Sequence, residues 1–251
     1  MRLRSLVRFL DETLDIRSFR QDKSLNGLQV EGRAEVRTVA LAVDACGESI
    51  SRAVRRRADL LLVHHGLFWG ETAPVTGILA RRLGRLLGAG CSLYAAHLPL
   101  DCHPSLGNNA RLAASLGIAR TERFGEYAGV EIGLCGELPR PAGLKSLAAG
   151  VRRRLGGPVR SLPFGPRLVR RLGIVSGAGA SLAQAAAEAG CDALLTGETS
   201  HSSYHTAREC GVSLVFAGHY ATETAGVLAL GELIAGRFGL RTFFIDLPTG
   251  Y

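Results

Sequence analysis

Lysine is almost missing from this chain. Of 30 Lys and Arg residues only Lys23 and Lys145 are lysine, so the formal charge of +8 is carried by arginine. The arginines are dispersed, as Arg55–Arg57, Arg81, Arg82 and Arg85, Arg152–Arg154, and Arg170 and Arg171. Several fall between apolar residues at helical spacing, which marks solvated helix faces and not a nucleic-acid surface with interleaved aromatics. A basic-surface protein linked to DNA is therefore the weakest reading of the charge, and an anionic small substrate such as a nucleotide is served equally well. Paired cysteines are missing too. Cys46, Cys91, Cys102, Cys135, Cys191 and Cys210 form no C-x-x-C, and several sit inside apolar runs as small hydrophobes. This predicts a reducing compartment without structural disulfides. No apolar run reaches the ~18 residues of a membrane span. The opening MRLRSLVRFLDETLDI is broken by Arg4, Arg8 and Asp11, so it reads as an amphipathic helix and not a signal peptide. The expectation is a cytoplasmic protein that does not enter a membrane.

What is present is ordinary globular composition, 47% apolar and 21% charged, over a length ample for a real core. Strand-like apolar runs at 36–44, 58–66 and 91–97 alternate with helical stripes at 48–57 and 76–87, and a helix follows at 108–116. The pattern then restarts, with strands at 129–138, 170–177, 191–198, 212–219 and 241–248. Helices at 144–155, 180–189, 202–210 and 224–238 lie between them. Such alternation predicts crossover units and an α/β fold with largely parallel or mixed sheets. The restart is a duplication. Asp59 and Asp192 stand 133 positions apart, and the same shift lays 41–44 on 174–177. His97 and His219 stand 122 apart, as do Asp101 and Glu223. Two similar halves follow, 1–125 and 126–251, intertwined into one functional unit.

The duplicated phrase ends each time in His, three residues, then a carboxylate: His97 to Asp101 and His219 to Glu223. His64 and His65 close the strand ahead of the first copy. All six groups lie at or just past the carboxyl ends of strands, where open α/β sheets gather ligands. Imidazole with carboxylate suits Zn, Fe(II), Mn or Ni, and six groups exceed what one tetrahedral ion needs. A carboxylate bridging two ions is the arrangement of two-metal hydrolytic sites. Adjacent histidines on a strand face opposite ways, so His64 and His65 share a site only where the strand ends, a turn that Gly66 would permit. Glu198 stands where the first copy has His65, and His201 and His205 are one helical turn apart. Glu198 and His205 are the candidates for proton transfer, and Asn26 and Gln29 are candidates for the pocket wall.

At this point the sequence resembles a known family. HHGLFWG, AAHLPLDCHPSLGNNARLAASLG, TGETSHSSYHTAREC and GHYATETAGV are similar to the signature segments of the GTP cyclohydrolase 1 type 2 / Nif-three-like family of dinuclear metal proteins. NGLQVEG and FFIDLP match as well, so the resemblance spans the chain. It implies two intertwined three-layer α/β/α halves and two divalent ions per chain (Fe, Zn or Mn) held by His64, His65, His97, Asp101, His219 and Glu223. It also implies a homohexameric toroid and GTP ring opening or related nucleotide hydrolysis. Residues 118–145 leave no room for the middle domain of longer relatives, so this is the short form. The alternative function is a non-catalytic metal-binding or regulatory protein.

Overall fold

The computed structural model describes residues 1–250, and these fall into two compact units. The first is made of 1–100 and 226–247, the second of 101–225 and the last residues from Pro248.

Strands of the first unit are β1 (Gly27–Val30), β2 (Thr38–Asp44), β3 (Leu60–His65), β4 (Ser92–Ala95) and β11 (Arg241–Phe244), in the sheet order β1-β4-β3-β2-β11. β2, β3, β4 and β11 run parallel, and β1 pairs antiparallel to β4. Parallel strands covered on both faces must be apolar throughout, which is why TVALAVD and LLLVHH are buried almost end to end. On one face Ala40, Ala42, Leu61, Val63 and Leu93 pack with Ile50, Ala53 and Leu86 of helices Gly47–Arg55 and Gly77–Ala89. On the other, helix Thr224–Phe238 comes so close that a side chain at Gly231 would strike Leu41. Phe238 of that helix meets Phe9 of helix Leu3–Thr13 edge to face, with ring centroids 4.9 Å apart.

The second unit holds β5 (Glu122–Tyr127), β6 (Val130–Gly143), β7 (Arg160–Leu162), β8 (Leu168–Val175), β9 (Ala193–Thr196) and β10 (Ser213–Phe216), in the order β5-β6-β8-β9-β10-β7. Here β8, β9 and β10 are the parallel centre, and β6 and β7 flank them antiparallel. Ala193, Leu195 and Val215 pack with helices Asn108–Ser115 and Leu144–Leu155, while Leu194 and Leu214 pack with Ala183–Glu188 and His201–Cys210. Each unit is thus a three-layer α/β/α sandwich built on a mixed sheet, as expected.

The duplication is legible atom by atom. Asp59 Oδ2 accepts from the backbone N–H of Arg37 and Thr38, and Asp192 Oδ2 accepts from Arg170 and Arg171, each pair fastening the start of one parallel strand to the next. Ser92 Oγ takes the Gly32 N–H at 2.9 Å, and Ser213 Oγ takes the Gly165 N–H at 2.9 Å. β1–β4 therefore correspond to β7–β10, edge strand included. The boundary between units does not fall at 125/126, because β11 pairs with β2 and carries residues 226–247 into the first unit. β5 and β7 lie outside the expected elements. ERFGEY buries only Phe124, so it lacks the apolar alternation that marks a strand.

Candidate metal centre

In the first unit the ends of β3 and β4 bring His64, His65 and His97 together, one ring nitrogen from each lying within 4.8 Å of the others. The centroids of the His64 and His65 rings stand 4.6 Å apart, so neighbouring residues do converge where the strand ends. Gly66 serves this differently from the turn expected of it. A side chain there would collide with Gln29, whose Oε1 accepts the Leu67 N–H at 2.7 Å and whose Nε2 donates to Leu25 O.

Each imidazole is held through Nδ1. His64 Nδ1 donates to Ala96 O at 2.8 Å, His65 Nδ1 to Asp44 Oδ1 at 2.8 Å, and His97 Nδ1 to Asp22 Oδ1 at 2.9 Å. A ring whose Nδ1 hydrogen points at an acceptor presents a lone pair on Nε2 when neutral, the tautomer a metal needs. Asp22 also accepts the Ser24 N–H, the Leu98 N–H and the Asn26 amide, and Asn26 Oδ1 accepts the His97 N–H. Burial alone would raise the Asp22 carboxyl. The bond from His97 and the charge on that ring, helped by Asn26 and Ser24, outweigh it and hold Asp22 below its ordinary range.

In the second unit Asp101 and Glu223 are buried, and His219 lies between two carboxylates. Its Nδ1 donates to Glu198 Oε1 at 3.0 Å, and its Nε2 stands 3.2 Å from Glu223 Oε2. Burial pulls the His219 pKa down, but Glu223 and Glu198 override it and push it up to about 9. Asp101 Oδ1 accepts from Asn108 Nδ2 at 2.8 Å and from Ser176 Oγ at 2.9 Å.

The second copy lacks the histidine pair for a steric reason. Gly177 and Gly197 occupy the positions of Asp44 and His64. A side chain at Gly177 would run into Glu223 and come within 3.1 Å of His219 Nε2, and one at Gly197 would meet the His219 backbone at 2.7 Å. Glu198, at the His65 position, orients His219 and is 40% exposed. His205 lies on the exposed side of helix His201–Cys210 against the rings of His201 and Tyr204, and it joins none of the potential metal groups among the described residues. Asp22 and Asp44 gave no sequence signal as supports. Burial pushes the Cys91 and Cys191 thiols up to about 12, and the six cysteines form no disulfide.

Fold and side chains together define a class: a duplicated α/β/α protein whose parallel strands end in imidazoles and carboxylates able to hold a metal ion. The chain belongs to the Duf34/NIF3 (NGG1p interacting factor 3) family, whose model matches residues 1–249. It is 48% identical to a GTP cyclohydrolase 1 type 2 homolog of Pyrococcus abyssi, with all of both chains covered. A solved structure described as protein ybgI, of unknown function, superposes over the full length of both chains with a TM-score of 0.94 at 39% identity. One from Thermus thermophilus does so with a TM-score of 0.90 at 42% identity. No helix among the described residues is long and apolar enough to cross a membrane.

Proposed function

We propose that this protein is a metal-dependent hydrolase acting on nucleotide-like substrates, with two divalent ions (Fe, Zn or Mn) held by His64, His65, His97, Asp101, His219 and Glu223. The observation that carries the reading is the common device behind the histidines. All four donate through Nδ1 to an oxygen acceptor, and in three cases the acceptor is a carboxylate. Surface histidines have no need of such support, whereas metal-bound imidazoles are oriented and made more basic by it. The donor set of four nitrogens and two carboxylates fits borderline divalent ions. When bound, such ions supply a Lewis acid and a water ionised near neutral pH.

The chain's own residues do the positioning. Asp22, Asp44 and Glu198 fix three rings, and the Ala96 carbonyl fixes the fourth. Ser176 and Asn108 both donate to one oxygen of Asp101 and so fix its carboxylate. Glu198 is the nearest candidate to relay a proton, since it shares one with His219 across 3.0 Å. A homohexameric toroid and a nucleotide substrate are carried over from the family resemblance.

The test is metal analysis combined with turnover. Protein loaded anaerobically with Fe, Mn or Zn should hold about two ions per chain and open or hydrolyse GTP or another member of a nucleotide panel. His97→Ala should lose metal. Unchanged metal content in that variant would overturn the site, and two ions without turnover of any nucleotide would overturn the enzyme reading in favour of a non-catalytic metal protein.

A further inference from the structure

The chain has a single tryptophan, Trp69, and it is not in a core: it is 40% exposed. Tryptophan left in water usually marks a binding surface, because it forfeits a large apolar burial. This one is held rigidly. Its indole N–H donates to Gly66 O at 3.0 Å, and its backbone is bridged to Ser24, with the Leu25 N–H bonded to Phe68 O at 3.0 Å. Its ring centroid stands 5.0 Å from that of His97 and 5.8 Å from that of His65. A fixed aromatic surface with its polar atom already satisfied thus lies beside two of the histidines.

A cavity of about 370 Å³ is lined by Asp22, Lys23, Ser24 and Glu71 among others, and by Phe68 and Gly70, the two chain neighbours of Trp69, which does not itself line it. That volume lies within the range of small-molecule sites. Ser24 is 4% exposed, yet its hydroxyl has no hydrogen-bond partner among the described residues. A buried hydroxyl without a partner asks for one, and this one belongs to the wall of the cavity. Lys23, exposed on the same wall, is one of the two lysines in the chain and forms no ion pair among the described residues.

We propose that Trp69 is the specificity-determining platform of the site, receiving the planar heteroaromatic ring of the substrate. The Ser24 hydroxyl bonds that ligand in the cavity, and Lys23 meets its anionic group. The assignment rests on the metal-site reading above and names residues that reading does not use. It explains why a sequence so poor in lysine and tryptophan places Lys23 on the cavity wall and Trp69 between two residues of that wall, against the rings of His65 and His97. An apolar ligand would leave Lys23 and the Ser24 hydroxyl unanswered, and a plain anion would leave Trp69 in water. A nucleotide answers all three.

The sole tryptophan makes the test direct, because intrinsic indole fluorescence reports on Trp69 alone. Titration of the metal-loaded protein with GMP should quench that emission saturably, and ribose 5-phosphate should not. Trp69→Ala should weaken GMP binding, read by calorimetry, roughly 5- to 150-fold, the range for loss of one base–aromatic stack. Trp69→Phe should recover most of it, and both variants should keep the wild-type metal content. Lys23→Ala should reduce GMP binding to the level of guanosine, and Ser24→Ala should weaken both alike. Quenching by ribose 5-phosphate equal to that by GMP, or unchanged GMP affinity in Trp69→Ala, overturns the platform. If wild type holds two ions and binds no GMP, this inference fails while the metal site stands. If His97→Ala keeps its metal, the site fails whatever the fluorescence shows.

Discussion

Asp22→Asn isolates what a buried carboxylate does for His97. The Asp22 side chain is 1% exposed, against 40% for Asp44 behind His65 and 40% for Glu198 behind His219. Asp22 Oδ1 accepts from Ser24 N at 3.0 Å and His97 Nδ1 at 2.9 Å, and Oδ2 accepts from Asn26 Nδ2 at 2.8 Å and Leu98 N at 3.1 Å. Whichever way an amide is turned, its NH2 faces two donors, and buried donors left without a partner cost about 1–3 kcal/mol each. Loss of a supporting carboxylate typically lowers metal affinity about 10- to 100-fold, or about 1.4–2.7 kcal/mol. Asp22→Asn should fall at the upper end. Asp44→Asn and Glu198→Gln should fall at the lower end, because water screens a carboxylate that is 40% exposed. Competition against a chromophoric chelator measures affinity, and urea melts of the metal-free protein measure stability separately. The depressed pKa of Asp22 adds a pH signature. A carboxyl held below its unfolded value near 3.8 contributes stability that is present above that value and lost as pH falls through the folded one, so the Asn variant's deficit should shrink in acid. Equal affinity loss in all three variants, or the least in Asp22→Asn, would refute the argument from burial.

Other outcomes follow from the same geometry. His219, held near 9 without metal, must shed a proton to ligate, so apparent metal affinity should climb between pH 7 and pH 9, with a competition cost of roughly 100-fold at pH 7. In the metal-free protein the same raised pKa contributes stability fully present below about 6.5 and lost as pH rises through about 9, which a melt series across that window checks. Gly32→Ala and Gly165→Ala drive a methyl into backbone at matching places, against Gly90 and against Asp192, and each should cost about 1–3 kcal/mol in urea melts. Gly84→Ala, in an exposed helix turn with nothing within 4 Å, should stabilise by about 0.5–1 kcal/mol.

The parallel strands were readable because a strand covered on both faces has to be continuously apolar, and β2, β3, β9 and β10 write that requirement into the chain, as β8 does from Leu172 onward. The doubled H-x-x-x-carboxylate was readable because ligand residues cluster where those strands stop. What escaped was whatever lies far off in sequence. Asp22 is 75 residues from His97 and Asp44 is 21 from His65, and no periodicity links a carboxylate to a ring it reaches only through the fold. The edge strands escaped for the opposite reason: β5 and β7 bury so little that their residues record almost nothing of the sheet they join.

The two copies differ at three positions around the strand ends. Asp44, His64 and His65 in one copy become Gly177, Gly197 and Glu198 in the other. In the first copy the strand ends leave room for side chains, so an imidazole pair and its carboxylate fill the space. In the second, the His219 backbone and the Glu223 carboxylate occupy the same volume, and only glycine lets them in. Glu198 then keeps the acidic role of Asp44, but on the neighbouring strand, where it reaches a histidine from β10 and not one from its own strand. One scaffold thereby yields two different half-sites, one rich in imidazole and one rich in carboxylate. A reversal such as Gly177→Asp should therefore evict Glu223 and uncouple His219, and no second histidine cluster should result.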